Sequence, residues 1–446
     1  MYDTVIGDTP AARATSVIVT RGRGDCTARS YLCSVTHVRY RLATAAYLAA
    51  AAFGAFWGTW GSAVPRIRDQ AALDDAQLGT ALLFVSAGAL PAMLLTGRVL
   101  DRWGLRFTAY AVASLGVAGV VVSVSAQGLV ALCAGLTLVG MTSGAADVAM
   151  NSVGGRAEQR SGRPIITRSG ALFSAAVVVS SLGTGAAYAF DAPTWAPFAA
   201  VLAASAVAAA AIRHALTTEP DAGSHETRAA DATGSASAVS AVGTAVAPLL
   251  LVGALGALAF ASENAHQSWG AVFLQDVFDT GPGISALAPA AFAAVVALTR
   301  FGASTLSPRH ARTVLVLGAV VAAAGAAVVA RAPSVPIALA GLVLAAAGTA
   351  ALFPTLLSIV SRNVVESSRG RATSIVTVVS YLGFLLGPVY VGLWASATSL
   401  RGAMISVAAL GVALAVLALP LLTLSRYTIT SAPAGSPPGA AERTSA

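Results

Sequence analysis

The chain has 446 residues, 56% of them hydrophobic and only 10% charged, with a mean hydropathy of +0.76. Soluble proteins carry about 25% charged residues, so the composition excludes an ordinary water-soluble enzyme and points to a polytopic membrane protein. The formal charge of +8 comes from arginines scattered over short connections, which excludes nucleic acid as a partner.

Residues 1–39 are polar and Arg-bearing and lack the apolar core of a signal peptide. They read as a cytoplasmic tail without fixed structure. A helix needs about 20 apolar residues to cross a bilayer, and twelve such stretches follow. Six fall at 41–64, 76–97, 105–125, 128–150, 166–190 and 193–212, inside a first half at 40–215. Residues 216–244 are rich in Pro, Gly, Ser and acids and read as a cytoplasmic linker. Six more stretches, at 246–270, 283–305, 312–330, 335–360, 372–396 and 400–424, form a second half at 245–425. A second tail at 426–446 closes the chain. The three cysteines (Cys26, Cys33 and Cys133) have no metal-ligand spacing. No metal or cofactor is expected.

The arginine bias of the short loops places both termini in the cytoplasm. The inner connections carry Arg98, Arg102, Arg106, then Arg156, Arg160, Arg163 and Arg168, then Arg300, Arg309 and Arg312, then Arg362, Arg369 and Arg371. The outer connections are mostly acidic or neutral. The two halves also echo each other: "TWGSAV" (Thr59–Val64) with "SWGAVF" (Ser268–Phe273), and "SSLG" (Ser180–Gly183) with "SYLG" (Ser380–Gly383). Internal repeats of six spans are typical of secondary transporters, whose substrate sites lie at the repeat interface.

After the second span comes "GRVLDRWGLR", Gly97 to Arg106. Gly97 allows close helix approach, Asp101 can accept from the N-terminus of a neighbouring helix, and Arg102 and Arg106 can pair with acids or lipid phosphates. The stretch resembles the signature loop of the major facilitator superfamily (MFS), an all-α fold of twelve transmembrane helices in two pseudo-symmetric six-helix halves. That resemblance implies that Gly97, Asp101, Arg102 and Arg106 latch the halves in the outward-open state. In the second-half copy Thr299 stands for Gly and Ala303 for Asp, while Arg300 and Gly302 remain, and the resemblance implies that Arg300 belongs to the latch. Three further stretches, "DVAMNSVGGRAEQRSGRPI", "ENAHQSWGAVFL" and "YLGFLLGPVYVG", look like a bacterial branch of permeases loosely akin to fucose-permease-like sugar transporters. The family also implies that spans 1, 4, 7 and 10 line a central cavity.

Of the 19 acidic residues, two lie inside spans: Asp147 in span 4 and Glu263 in span 7. An ionisable group at depth costs about 2.5–3.5 kcal/mol even on the lenient insertion scale, so both are candidates for proton coupling or substrate contact. No arginine is read as lying deep in a span. Asp147 shares a helix face with Asn151, and near the inner end it could equally pair with Arg163 or Arg168. Glu263 is read as lying in the outer half, with His266 and Gln267 one turn on and Trp269 beyond. His266 could join a proton relay or simply be wet. Trp57 could stack on a substrate, whereas Trp60 suits the interfacial aromatic belt. Pro354 and the Gly387–Pro388 pair are kink sites fit for gating.

These features predict a monomeric multi-pass transporter of the bacterial cytoplasmic membrane. It would move a small solute by alternating access, coupled to protons, with a sugar-like substrate. A proton-driven exporter of amphipathic compounds and a non-transporting sensor with the same fold are the alternatives. No nucleotide-binding Gly-x4-Gly-Lys-Ser/Thr loop or nucleophile triad is present, so an enzyme is not expected.

Overall fold

A computed structural model describes the backbone of residues 25–216, 246–303 and 308–427. Residues 1–24, 217–245 and 428–446, and with them the linker and most of both expected tails, lie outside the described residues. The first helix begins at Asp25, inside the stretch read as an unstructured tail. No Gly or Pro occurs between Gly24 and Gly54, so nothing in the sequence stops the helix from extending back that far.

Among the described residues all regular structure is helical, and twelve helices are long and apolar enough to cross a membrane. Spans 1 to 6 are Arg41–Gln70, Asp75–Trp103, Phe107–Ser125, Leu129–Ser161, Ile165–Ala189 and Trp195–Leu216. Spans 7 to 12 are Val246–Phe278, Pro282–Gly302, Ala311–Arg331, Val335–Asn363, Ser368–Ala397 and Leu400–Leu424. Large apolar side chains such as Leu94, Val130, Val179 and Leu298 are exposed around the outside, a surface that only a lipid bilayer covers favourably. The connections are tight because the sequence caps its helices. Asp74 accepts from the backbone of Gln77 while the Gln77 side chain returns the bond, a reciprocal capping box that starts span 2. Gly104, at φ 67°, stops the same span in a conformation that glycine tolerates best. Most of "GRVLDRWGLR" is thus the last two turns of span 2.

The packing has a repeat that the sequence echoes only hinted at. Spans 1–5, 1–6, 3–6, 3–4 and 2–4 pack together in the first half, and spans 7–11, 7–12, 9–12, 9–10 and 8–10 repeat the pattern in the second. Between the halves the principal contacts are span 2 with span 11 and span 5 with span 8, which a two-fold exchange of halves interconverts. Within each half, glycines bring backbones together. A methyl at Gly140 would collide with the Val85 carbonyl of span 2, and one at Gly383 with the Ala257 carbonyl of span 7.

The halves touch at one face and part at the other. A methyl at Gly79, near the start of span 2, would lie 2.9 Å from the Pro388 carbonyl of span 11. One at Gly185, late in span 5, would lie 2.9 Å from the Pro282 carbonyl of span 8. At the opposite ends of these spans, methyls at Gly97, Gly170 and Gly370 would meet nothing within 4 Å.

Candidate functional site

Span 7 carries a row of polar side chains at helical spacing, and they face different partners. The Glu263 side chain is only 10% exposed, and its Oε1 accepts from the Arg300 guanidinium at 2.9 Å and from Gln267 Nε2 at 3.2 Å. Arg300 was expected at an inner connection as the second-half latch residue; it lies two residues before the end of span 8 and turns back to the acid. Both acids lie near the middle of their helices. At 1.5 Å per residue, Glu263 is about 22 Å along its 33-residue helix from the closed end at Phe278. Asp147 is about 27 Å along its 33-residue helix from Leu129. Glu263 thus stands close to the midpoint of its helix, because span 7 runs to Phe278 and not to 270.

Two prolines explain why polar groups sit where they do. A proline in a helix removes the N–H that would bond the carbonyl four residues back. Pro354 does this to Ala350, and span 10 breaks there into Val335–Thr349 and Leu352–Asn363. The Ala350 carbonyl instead accepts from Arg300 Nε at 3.1 Å. Pro388 does the same to Phe384 in span 11, whose carbonyl accepts from Asn264 Nδ2 at 2.6 Å. Trp269 Nε1, five residues on, donates to the Pro388 carbonyl at 3.2 Å. Span 7 thus braces the kink of span 11 at two points, and Gly387 permits the approach, since a methyl there would lie 2.9 Å from the Ala261 carbonyl. Replacing Asn264 by Leu orphans a carbonyl and is expected to cost about 1–3 kcal/mol, read as a lowered thermal midpoint of the purified protein. An unchanged midpoint would show that the kink does not need the amide.

Asp147 makes no ion pair among the described residues, so the pairing with Arg163 or Arg168 does not form. Its carboxylate accepts from Asn151 Nδ2 at 3.1 Å, one turn on, and the same amide reaches the Asp147 carbonyl at 3.0 Å. Tyr381 stands on span 11, in the other half. Tyr381 belongs to an aromatic group with Phe260, Phe353 and Phe384. A second group gathers half-buried Trp57 with Phe53 and Phe56, and Phe53 in turn packs on Phe173.

Other sequence candidates are placed elsewhere. His266 is 1% exposed, so it is not wet, and its contacts run to other groups than Glu263. Its ring stacks on Phe292 of span 8, and Nδ1 lies 2.7 Å from the Ser262 carbonyl. Nδ1 must carry the proton of that bond, because a carbonyl only accepts. Trp269 is fully buried, and Trp60, at 5% exposure, packs in the core and not in an interfacial belt. Of the latch residues, Asp101 and Arg102 are exposed at the open face, and Arg106 reaches the Leu216 carbonyl of its own half at 3.4 Å.

The closed face carries a clamp that the sequence reading passed over as loop charge. Arg68, at the end of span 1, donates to both oxygens of Asp276 at the end of span 7, at 2.6 and 2.9 Å. It also contacts Asp75 and Asp69 at 3.3 Å each, and Gln275 Nε2 reaches Asp69 at 3.4 Å. Arginines set among the acids of one connection, Arg66 and Arg68 beside Asp69, Asp74 and Asp75, were the available signal.

The model of the Major Facilitator Superfamily matches residues 269–443. An uncharacterized transporter, y4wD, of Sinorhizobium fredii is 30% identical over 355 residues, covering 78% of this chain and 89% of the relative. The chain belongs to the major facilitator superfamily. Solved MFS structures share its fold. A bacterial homolog of the human lysosomal transporter Spinster, inward-facing and occupied, aligns with a TM-score of 0.67 at 18% identity, covering 89% of this chain and 98% of that one. The inward-open xylose transporter XylE from E. coli aligns at 0.62 and 14% identity, covering 87% and 97%. The protein is accordingly an MFS transporter, a multi-pass protein of the bacterial cytoplasmic membrane.

Proposed function

We propose that this MFS transporter moves a small polar, sugar-like solute by alternating access, as a monomer, with Glu263 as its proton-coupling group. The observation that carries the coupling is the unbroken chain from Glu263 Oε1 through the Arg300 guanidinium to the Ala350 carbonyl at the break in span 10. A charged acid holds the guanidinium over the break. A proton on Glu263 leaves Arg300 without its counter-charge, and the brace on span 10 weakens. Proton binding is thereby turned into a change at a helix break, where half-helix ends and kinks serve transport.

The separation of the halves at one face fits one state of the cycle. With both termini in the cytoplasm, as the arginine bias requires, the open face is the inner one and the clamp around Arg68 closes the outer one. The latch at Gly97, Asp101, Arg102 and Arg106 is then disengaged, and it engages when the inner ends meet. Asp147, Asn151 and Tyr381 supply polar contacts between the halves, while Trp57 and the group around Phe260 supply flat apolar faces. That mixture suits a sugar ring, with hydroxyls at its edge and C–H groups on its faces. Gln267 holds Glu263 in place, and Pro354, Gly387 and Pro388 provide the bending points.

Proteoliposomes containing the full chain test the reading with labelled pentoses and hexoses, in the presence and absence of a pH gradient. Accumulation of at least one sugar that collapses when the gradient is dissipated is expected. Uptake indifferent to the gradient would remove proton coupling, and binding without any flux would favour the sensor.

A further inference from the structure

A cavity of about 520 Å³ opens at the closed face, away from the central site. Its size lies within the range of small-molecule pockets, about 300–1,000 Å³. Ser62, Arg66 and Gln70 of span 1 and Tyr188 of span 5 form its first-half wall, and Gln275 and Asp279 belong to the second-half wall. Neither Asp147 nor Glu263 lines it.

The first-half wall holds donors that the fold leaves unused. The Arg66 guanidinium lies 4.8 Å above the Tyr188 ring and makes no ion pair among the described residues, although Arg68, two residues on, gathers three acids. Tyr188 is itself held in place, since its hydroxyl donates to the Thr194 carbonyl at 2.8 Å. Ser62 is 2% exposed and its Oγ has no hydrogen-bond partner. A helical serine commonly donates to the carbonyl one turn back, but that carbonyl, of Gly58, accepts from Ser181 at 3.1 Å. A buried hydroxyl left unbonded costs stability, and a ligand would relieve that cost.

The second-half wall holds the opposite charge. Asp279 is exposed, sits at φ 52°, and makes no side-chain bond among the described residues. The other acid at the rim, Asp69, is occupied by Arg68 and Gln275. A bare anion entering the cavity would face Asp279, and a bare cation would face Arg66. A molecule carrying both charges satisfies both walls.

We propose that this cavity binds a small zwitterion of the amino-acid type, its carboxylate toward Arg66 and Ser62 and its ammonium toward Asp279. Because the two walls belong to different halves, the bound molecule is held only while these ends of the halves are together, and it favours that state over the one in which they part. That consequence rests on the alternating-access reading. The binding itself does not.

Isothermal titration of the full-length, detergent-purified protein tests it, with glycine, L-leucine, acetate and methylammonium as probes. At least one of the two amino acids is expected to bind, more tightly than acetate or methylammonium. Arg66→Gln and Asp279→Asn should each weaken that binding about tenfold or more, the loss of one charge-assisted bond. Asn accepts a left-handed backbone as well as Asp does, so Asp279→Asn decides the matter even if Arg66→Gln fails to fold. The proposal is overturned if neither amino acid binds, if acetate binds equally well, or if Asp279→Asn leaves the affinity untouched.

Discussion

Glu263→Gln protein in proteoliposomes is expected to equilibrate its solute across the membrane and no longer to accumulate it. A one-unit pH gradient is worth about 1.4 kcal/mol per proton, enough for about tenfold accumulation by a one-proton symporter. Glutamine keeps the shape and can still accept from Arg300 and Gln267 through its carbonyl oxygen. What it loses is the ability to alternate between a charged and a neutral form, so the link from Glu263 through Arg300 to Ala350 has one state where the native protein has two. Exchange of labelled for unlabelled solute needs no net proton movement and should survive. Full gradient-driven accumulation by Glu263→Gln would end the coupling role of this acid. Asp147, the other acid that the sequence reading places within spans, would then be next in line, since its one close side-chain partner is the neutral amide of Asn151.

The second large effect concerns the closed face. Arg68→Ala removes the only cation among Asp69, Asp75 and Asp276 in the clamp, and with it two bonds that tie span 1 to span 7. Hydrogen bonds to charged groups contribute about 1.5–3 kcal/mol. The three carboxylates left behind also repel one another, Asp276 on one half against Asp69 and Asp75 on the other. The equilibrium should move by about tenfold or more toward separation at this face. Spin labels on the closed-face ends of spans 1 and 7 would report it as a longer distance distribution, more so at low salt, where exposed charges are less screened. Exchanging the pair, Arg68→Asp with Asp276→Arg, should bring back part of the short-distance population. An unaltered distribution in Arg68→Ala would mean that the glycine contacts at Gly79 and Gly185 close this face without the charges.

The sequence alone determined that the chain spans a membrane twelve times in two related halves. That information is local. Apolar stretches of bilayer length, arginines on one set of loops and turn residues between spans each act over a few residues, and the bilayer enforces them separately on every helix. It also singled out Asp147 with Asn151, because two residues four apart on a helix meet whatever else the fold does. Only the tertiary structure decided what Glu263, Arg300, Asn264 and Arg68 touch. Glu263 and Arg300 are 37 residues apart, Asn264 and Phe384 are 120, and Arg68 and Asp276 are 208. No local pattern encodes which carbonyl a proline orphans in space beside which donor, or which helix end meets which. Those pairings follow from how twelve helices pack into two halves, and they moved Arg300 from the latch to the acid, His266 from the water to the core, and the clamp of the closed face from loop charge to a bond between the halves.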